Sequence, residues 1–393
     1  MAELTCLIMG GGYAGIHAIR SIQGAFQKAG ETWRIRIVLI DKETYHLRKV
    51  LLFKPAAEQG DITIPFDRMF PDIRVVRGTV GRIDHEGKKV HYWDSERKEC
   101  TLAYDFAVLT IGSIVRRPGK EQGGIALTGL EAAVDIRKHW QENMRKAAGE
   151  THPEEKRRLL SIAVAGAGIS GIEASAELAH SMRKEAKALQ IDAEMIQVYL
   201  INAQARLFPE GPVKVGVKLE QKLRDYGVNV IHGVKVLQEK AGMVSLSNGE
   251  VIPAGLCVWT LGLLPNPLLR EMGFPLTPSG QVIVDSSYRV QGMAGVYSIG
   301  DCAGIVDPAN GRFDRMTCKE GTAQAARLGS IMQADLHGLP APQHKEYMDF
   351  YCFSFGAERG MVWTRQWGLD MIITGRLGWK IRKLTWDLAS LVR

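Results

Sequence analysis

The sequence predicts an α/β fold built on two similar strand–turn–helix–strand units, and three observations carry that expectation. An apolar run, LTCLIM (4–9), leads into GGGYAGIHA at residues 10–18. A second apolar run, LLSIAVA (159–165), leads into GAGISGIEA at residues 166–174, so that Gly10 and Gly166 lie 156 positions apart in matching surroundings. Each unit then continues into another apolar run, RIRIVLID ending at Asp41 and MIQVYLIN ending at Asn202. Continuous apolar runs of this length read as parallel strands buried on both faces. A G-x-G-x-x-G turn between such a strand and a helix brings backbone N–H groups and a helix N-terminus to a pyrophosphate, and an internal repeat of it predicts two dinucleotide sites.

Taken in order, the first turn opens a helix through about Gln27, and KAGETW (28–33) loops to the strand ending at Asp41. Between the repeats, RVVRGTVGRIDHEGKKVHYWDSERKECTLAYDFAVLTIGS alternates short strands with the turns HEGKK and DSERK. The mixed-sign stretch RKAAGETHPEEKRR (145–158) reads as a solvated helix and loop. The second helix is expected from about Ser170, and the segment running to VWTLG repeats the strand–turn–strand pattern. GVYSIGDCA supplies a further buried strand, and KEGTAQAARLGSIMQADLHG a helix stopped by Gly338 and Pro340. The tail from about 341 is aromatic-rich and ends in a basic helix.

Composition removes several function classes. At 393 residues the chain has room for two or three domains. It lacks any apolar run of about 18 residues and any leader-like h-region, which places the expected protein in the cytoplasm. The net charge is +7 and the pI about 9.0, yet the charges of both signs are interspersed, so no nucleic-acid partner is expected. Cys6, Cys100, Cys257, Cys302, Cys318 and Cys352 include no CxxC or CxxxxC pair, so the sequence writes neither a metal site nor a redox disulfide.

The order of GGGYAG, Asp41, YHLRKVLLFKPAA, DITIPF, YDFAVLTIGS, GAGISGIEASAEL, TLGLLPNP, GVYSIGDCA and TAQAA resembles the two-dinucleotide-binding-domain flavoproteins, and specifically type II NADH dehydrogenases, over roughly residues 4–335. The resemblance implies FAD in a discontinuous first domain (1–115 and 263–335) and NADH or NADPH in an inserted second Rossmann-like domain (116–262). Residues 336–393 then form a C-terminal region with a basic amphipathic helix. It implies an NAD(P)H dehydrogenase with a quinone-type acceptor. A soluble diaphorase or electron-carrier reductase, and an apoptosis-inducing-factor-like flavoprotein acting through partners, are the alternatives. A disulfide reductase is disfavoured because YHLRKVLLF has no cysteine, and a sulfide:quinone oxidoreductase because none lies between Cys100 and Cys257.

Site residues follow from the same motifs. Gly10, Gly12 and Gly15 would approach the FAD pyrophosphate, Asp41 would accept from the adenosine ribose, and Asp301 from the ribityl chain. Further cofactor contacts are expected at Tyr13, Ala14, Lys42, Thr110, Gly112, Gly262, Gly300, Thr322 and Ala323. A helix from about Gly321 would aim its positive end at the flavin pyrimidine, with Lys319 adding charge. Gly166, Gly168, Ile169, Ser170 and Gly171 would hold the nicotinamide nucleotide, and Glu173 would stand near nicotinamide and flavin as a catalytic group. Gln324 matches the first glutamine of the family's A-Q-x-A-x-Q acceptor pattern, whose second is absent here. Asn202 replaces the acid that usually selects NADH, and Arg206 stands nearby, leaving the nucleotide open. In residues 376–393, Ile381, Leu384, Leu388, Leu391 and Val392 share one helical face, with Trp379, Arg382, Lys383, Trp386 and Arg393 opposite. That pattern suits a peripheral membrane contact, the protein's own core or a homodimer partner equally well.

Overall fold

In the computed structural model, residues 2–27 and 33–392 are described; the KAGETW loop, apart from Trp33, and Arg393 lie outside them. The chain opens with strand β1 (Ala2–Met9), helix α1 (Tyr13–Phe26) and β2 (Trp33–Asp41). A short strand β3 (Tyr45–Leu47) and a one-turn helix α2 (Phe53–Ala57) follow. Next come β4 (Arg74–Asp84), β5 (Lys89–Asp94), β6 (Glu99–Ala103), β7 (Phe106–Leu109) and β8 (Ser113–Val115). The second unit runs β9 (Ile125–Ala126), α3 (Leu130–Gly149), β10 (Ser161–Ala165), α4 (Ile169–Ala188), β11 (Gln197–Asn202), α5 (Val213–Asp225), β12 (Val228–His232) and β13 (Leu256–Trp259). The chain then returns through β14 (Leu263–Pro265), β15 (Val296–Ser298) and α6 (Cys318–His337). It closes with β16 (Phe350–Ser354), β17 (Gly360–Gln366), β18 (Leu369–Thr374) and α7 (Gly375–Ala389).

One sheet has the order β15-β7-β1-β2-β4-β5-β6, so a strand from beyond residue 290 pairs beside strands from the first hundred residues. The other has the order β9-β13-β10-β11-β12, all parallel, and is built wholly from residues 125–259. Between them β8 pairs antiparallel with β14, Ser113 opposite Pro265, so outgoing and returning chains lie side by side. Cys6, Leu7, Ile8 and Met9 of β1, and Ile162 to Ala165 of β10, are all buried, as central parallel strands covered on both faces require. Leu159 and Leu160, expected in the second strand, instead end a short helix (Pro153–Leu159) that Pro153 opens from its first turn.

The tail is more structured than its sequence indicated. Strands β16, β17 and β18 form an antiparallel meander with Tyr351 opposite Trp363 and Trp363 opposite Ile372. This sheet face joins the core that contains Phe208 and α4. Helix α7 packs on the sheet through Gly360 and Gly378, where any β-carbon would collide with backbone.

Candidate functional site

The two repeats match to the atom. Gly10 (φ 109°) and Gly166 (φ 113°) sit in backbone territory that favours glycine. A β-carbon on Gly15 would stand 1.9 Å from the Gly10 carbonyl oxygen, and one on Gly171 the same 1.9 Å from that of Gly166. Both third glycines therefore let the helix press onto its strand. Thr110 Oγ1 donates to the Gly10 carbonyl (2.7 Å) and Thr260 Oγ1 to that of Gly166 (2.8 Å). Thr260 was not singled out from the sequence, although the pairing of TIG at 110–112 with TLG at 260–262 carries the signal.

Helices α1 and α4 begin at Gly12 and Gly168, with no side-chain cap and no acid in the first turn. Their first N–H groups must find acceptors elsewhere, and a phosphate is the natural one. β-carbons on Gly12, Gly112, Gly168 and Gly262 would meet nothing within 4 Å, so open space stands before each turn. Ser170 is exposed beside Gly168, with Ile169 half-buried. Asp41 accepts from the Gly11 N–H (2.6 Å) and the Glu43 N–H (2.9 Å) at the end of β2, with Lys42 exposed next to it. Burial raises the Asp41 carboxyl above its ordinary range against those two hydrogen bonds. Tyr13 is turned into the protein, its hydroxyl accepting from the Val50 N–H and its ring edge-on to His46.

Asp301 is held by Ser113 Oγ at 2.6 Å, with Lys49 Nζ reaching the Ser113 carbonyl at 3.4 Å. Ala14, Gly300 and Gly321 meet closely: a β-carbon on Gly300 would be 2.8 Å from that of Ala14, and one on Gly321 3.5 Å from it. Nearby, Thr322 Oγ1 is buried without a hydrogen-bond partner, and Ala323 is half-buried beside it. Uncapped helix starts, vacant glycine faces, two strand-end carboxylates and an orphaned hydroxyl form a donor and acceptor set that fits FAD at the first turn and a nicotinamide nucleotide at the second.

Several expectations change. Helix α6 begins at Cys318 rather than Gly321, because Thr317 and Glu320 cap it; the Thr-x-x-Glu pattern was present in the sequence. The Gly321 N–H is consequently bonded to the Thr317 carbonyl, inside the helix. Lys319 Nζ donates to the Phe350 carbonyl (3.1 Å) and lies over the ring of Tyr351 (4.1 Å to its centroid), directed at the C-terminal sheet. Gln324 is a buried strut: its carbonyl accepts from the Gly300 N–H (2.7 Å) and its amide donates to Asp314 (2.7 Å). Arg206 spends its guanidinium on the carbonyls of Phe208, Pro209 and Gly211. Asn202 donates to the Arg206 carbonyl and pairs with His232, which in turn meets Glu220.

Glu173 is 2% exposed one turn into α4 and is gripped at both oxygens by Arg382 of α7 (2.9 and 2.8 Å). The Ser354 N–H adds a third bond at 2.9 Å. Burial pushes the Glu173 carboxyl up, and Arg382 pulls it back toward the charged form; we take the bidentate geometry as an ion pair. One turn further, Glu177 meets Lys54 of α2 at 2.6 Å. Neither Arg382 nor this second pair was indicated by the motifs, since their partners lie 209 and 123 residues away. Among the described residues there is no disulfide, no cluster of three or more His, Cys, Asp or Glu able to hold a metal, and no helix long and apolar enough to cross a membrane.

Two glycine cradles of one design define an oxidoreductase scaffold with two dinucleotide sites. The chain belongs to the pyridine nucleotide-disulphide oxidoreductase family, whose model matches residues 4–327. It is similar to a type II NADH:quinone oxidoreductase of Staphylococcus aureus, 22% identical over 354 residues that cover 87% of this chain and 85% of that protein. The solved structure of NDH2 from Plasmodium falciparum in complex with NADH matches with a TM-score of 0.84 at 16% identity, covering 98% of this chain and 94% of that one. The sulfide:quinone oxidoreductase of Aquifex aeolicus matches with a TM-score of 0.76 at 16% identity, over 98% and 90% of the two chains.

Proposed function

We propose that this chain is an FAD-dependent NADH dehydrogenase that passes electrons to a quinone. The observation that carries the reading is the atomic repeat of the two glycine cradles, with Glu173 buried against Arg382 where the second cradle's helix begins. When bound, FAD would accept a hydride from the nicotinamide and deliver its electrons onward, chemistry that belongs to the cofactor. The protein's part is alignment. Gly10, Gly12 and Gly15 with the start of α1 would hold the FAD pyrophosphate, Asp41 the adenosine ribose, and Asp301 the ribityl hydroxyls. Gly166, Gly168 and Gly171 would hold the nucleotide. Residues 1–115 with 263–335 would form the FAD domain and 116–262 the nucleotide domain, matching the pairing of β8 with β14 at their junction.

Similarity to a relative named for NADH:quinone oxidoreduction supports this acceptor, and the scattered cysteines argue against a disulfide one. NADH is the favoured donor on the same grounds. Asn202 supplies no charge against a 2′-phosphate, while Arg206 is committed to its own loop. A membrane surface is the natural meeting place with a lipophilic quinone. The outward apolar residues of α7, together with the exposed cations Arg376, Lys380 and Lys383, would rest there.

The deciding measurement is steady-state oxidation of NADH and NADPH by the purified yellow protein with a menaquinone analogue, ferricyanide and dioxygen in parallel. The reading requires quinone turnover well above that with dioxygen and a preference for NADH. Fast turnover with ferricyanide and none with quinone would make the chain a diaphorase instead.

A further inference from the structure

Reduction of a quinone leaves a proton to be supplied. NADH delivers a hydride, which carries two electrons and one proton, while a quinone becomes a quinol on gaining two electrons and two protons. One proton per turnover must therefore be supplied beyond the hydride: NADH + H⁺ + quinone gives NAD⁺ + quinol. Two ferricyanide ions take the two electrons only, and the hydride's proton is released.

Helix α4 carries two carboxylates four residues apart, Glu173 and Glu177, on one face and both 2% exposed. Glu173 is fully engaged by Arg382 and the Ser354 N–H. Glu177 is not: one oxygen meets Lys54 Nζ at 2.6 Å, and the other is buried without a hydrogen-bond partner. An orphaned buried carboxylate oxygen is costly unless it carries a proton or receives one from a transient partner. Lys54 also lies 3.5 Å from Glu58, whose side chain is 51% exposed. A line of exchangeable groups therefore runs from solvent at Glu58, past Lys54, to Glu177 and on toward Glu173. The groups facing Glu177 are Lys54 of α2, Glu58 just past the end of α2 and Glu173 on its own helix. Burial raises the Glu177 carboxyl above its ordinary range, Lys54 opposing.

We propose that Glu177, fed through Lys54 and Glu58, is a positioning residue that relays the solvent proton toward Glu173 and the acceptor. The inference rests on the quinone reading of the same site. It assigns a reason for the Lys54–Glu177 pair between α2 and α4, in which Glu177 is buried and Lys54 is half-buried: an apolar residue in place of Glu177 would pack there without desolvating a carboxylate.

The test is turnover of Glu177→Gln holoenzyme with NADH, comparing a quinone with ferricyanide at matched flavin content. Quinone kcat should fall about tenfold or more, in the range of a lost proton-transfer group. Ferricyanide turnover should stay within about twofold, and the solvent deuterium isotope effect on quinone turnover should increase. Glu58→Gln, at the half-exposed mouth and harmless to packing, should lower quinone turnover in the same selective way but less, and Glu177→Asp should restore part of it. Equal losses with both acceptors would assign Glu177 a structural role, and unchanged quinone turnover in Glu177→Gln and Glu58→Gln would remove the relay; either overturns the proposal. A wild-type protein that reduces ferricyanide but no quinone overturns the acceptor reading and the relay with it, an outcome distinct from failure of the variants alone.

Discussion

His46 shows how a single residue ties stability to pH. It is fully buried on β3, its Nδ1 bonded to the Gly11 carbonyl (3.0 Å) while Nε2 has no hydrogen-bond partner. Burial holds its pKa down at about 4, with the Gly11 contact opposing. Above pH ~6.5 the ring is neutral in folded and unfolded chains alike and contributes no pH dependence. Between pH ~6.5 and about 4 the unfolded chain binds a proton that the folded one refuses, so stability falls as the solution is acidified. The full loss is on the order of 3 kcal/mol. Chemical unfolding of His46→Asn should show a flatter acid limb than wild type over that window; equal slopes would mean the ring is protonated when folded. Glu173 belongs at this scale too. Its motif position was legible, but the charge that neutralises it, Arg382, is contributed from 209 residues away and has no motif.

At the scale of the element, the glycine turns separate space needed by the fold from space left for a ligand. Gly12 has ordinary φ and ψ of −69° and −172°, and a β-carbon there meets nothing, whereas at Gly15 it would strike the Gly10 carbonyl. Gly12→Ala should therefore leave the melting temperature of the flavin-free protein nearly unchanged while lowering its FAD content several-fold. Gly15→Ala should destabilise the apoprotein itself by several kcal/mol, because backbone must move apart. Flavin absorbance per protein and calorimetry of the apo form distinguish the two, and full flavin loading of Gly12→Ala would refute the placement of the pyrophosphate. Strand–turn–helix elements were readable from the sequence because local periodicity and glycine spacing encode them. The start of α6 at Cys318 lies three residues before the expected Gly321, since the Thr317–Glu320 cap was not read from the sequence. The C-terminal meander was missed because its strands find their packing partners through distant Phe208 and α4.

Over the whole molecule, the C-terminal region is a part of the site and a surface at once. Helix α7 was expected to hide its leucine face or present it to a membrane, and the structure turns the Arg382 and Trp386 side inward while Lys383 stays exposed. Trp386 is buried against Phe53, Arg382 against Glu173, and Asp387 against Arg48 at 2.7 Å. Leu377, Leu384 and Leu388 remain 55–59% exposed, joined by Leu369 and Met371 of β18. Trp367 at the β17–β18 turn is 94% exposed. Single exposed apolar residues are ordinary, but this many rimmed by lysine and arginine suit an anionic interface. The protein should sediment with phosphatidylglycerol vesicles, and less so with pure phosphatidylcholine or in high salt. Leu384→Asp combined with Leu388→Asp should weaken that binding about tenfold or more while soluble ferricyanide turnover persists. Co-sedimentation unaffected by the double variant would place the contact elsewhere.

The sequence by itself determined the α/β class, the two strand–glycine–helix crossings, the strand-end Asp41 and the absence of a metal or redox-disulfide motif. Each is encoded within about thirty residues, where spacing and hydrophobic period are direct consequences of backbone geometry. Only the tertiary structure decided which charges meet. Glu173 with Arg382, Glu177 with Lys54, and Gln324 between Gly300 and Asp314 depend on how distant elements pack. So does the choice of the outward face of α7. Amphipathic pattern fixes that a helix has two faces, and only the available partners fix which one is buried.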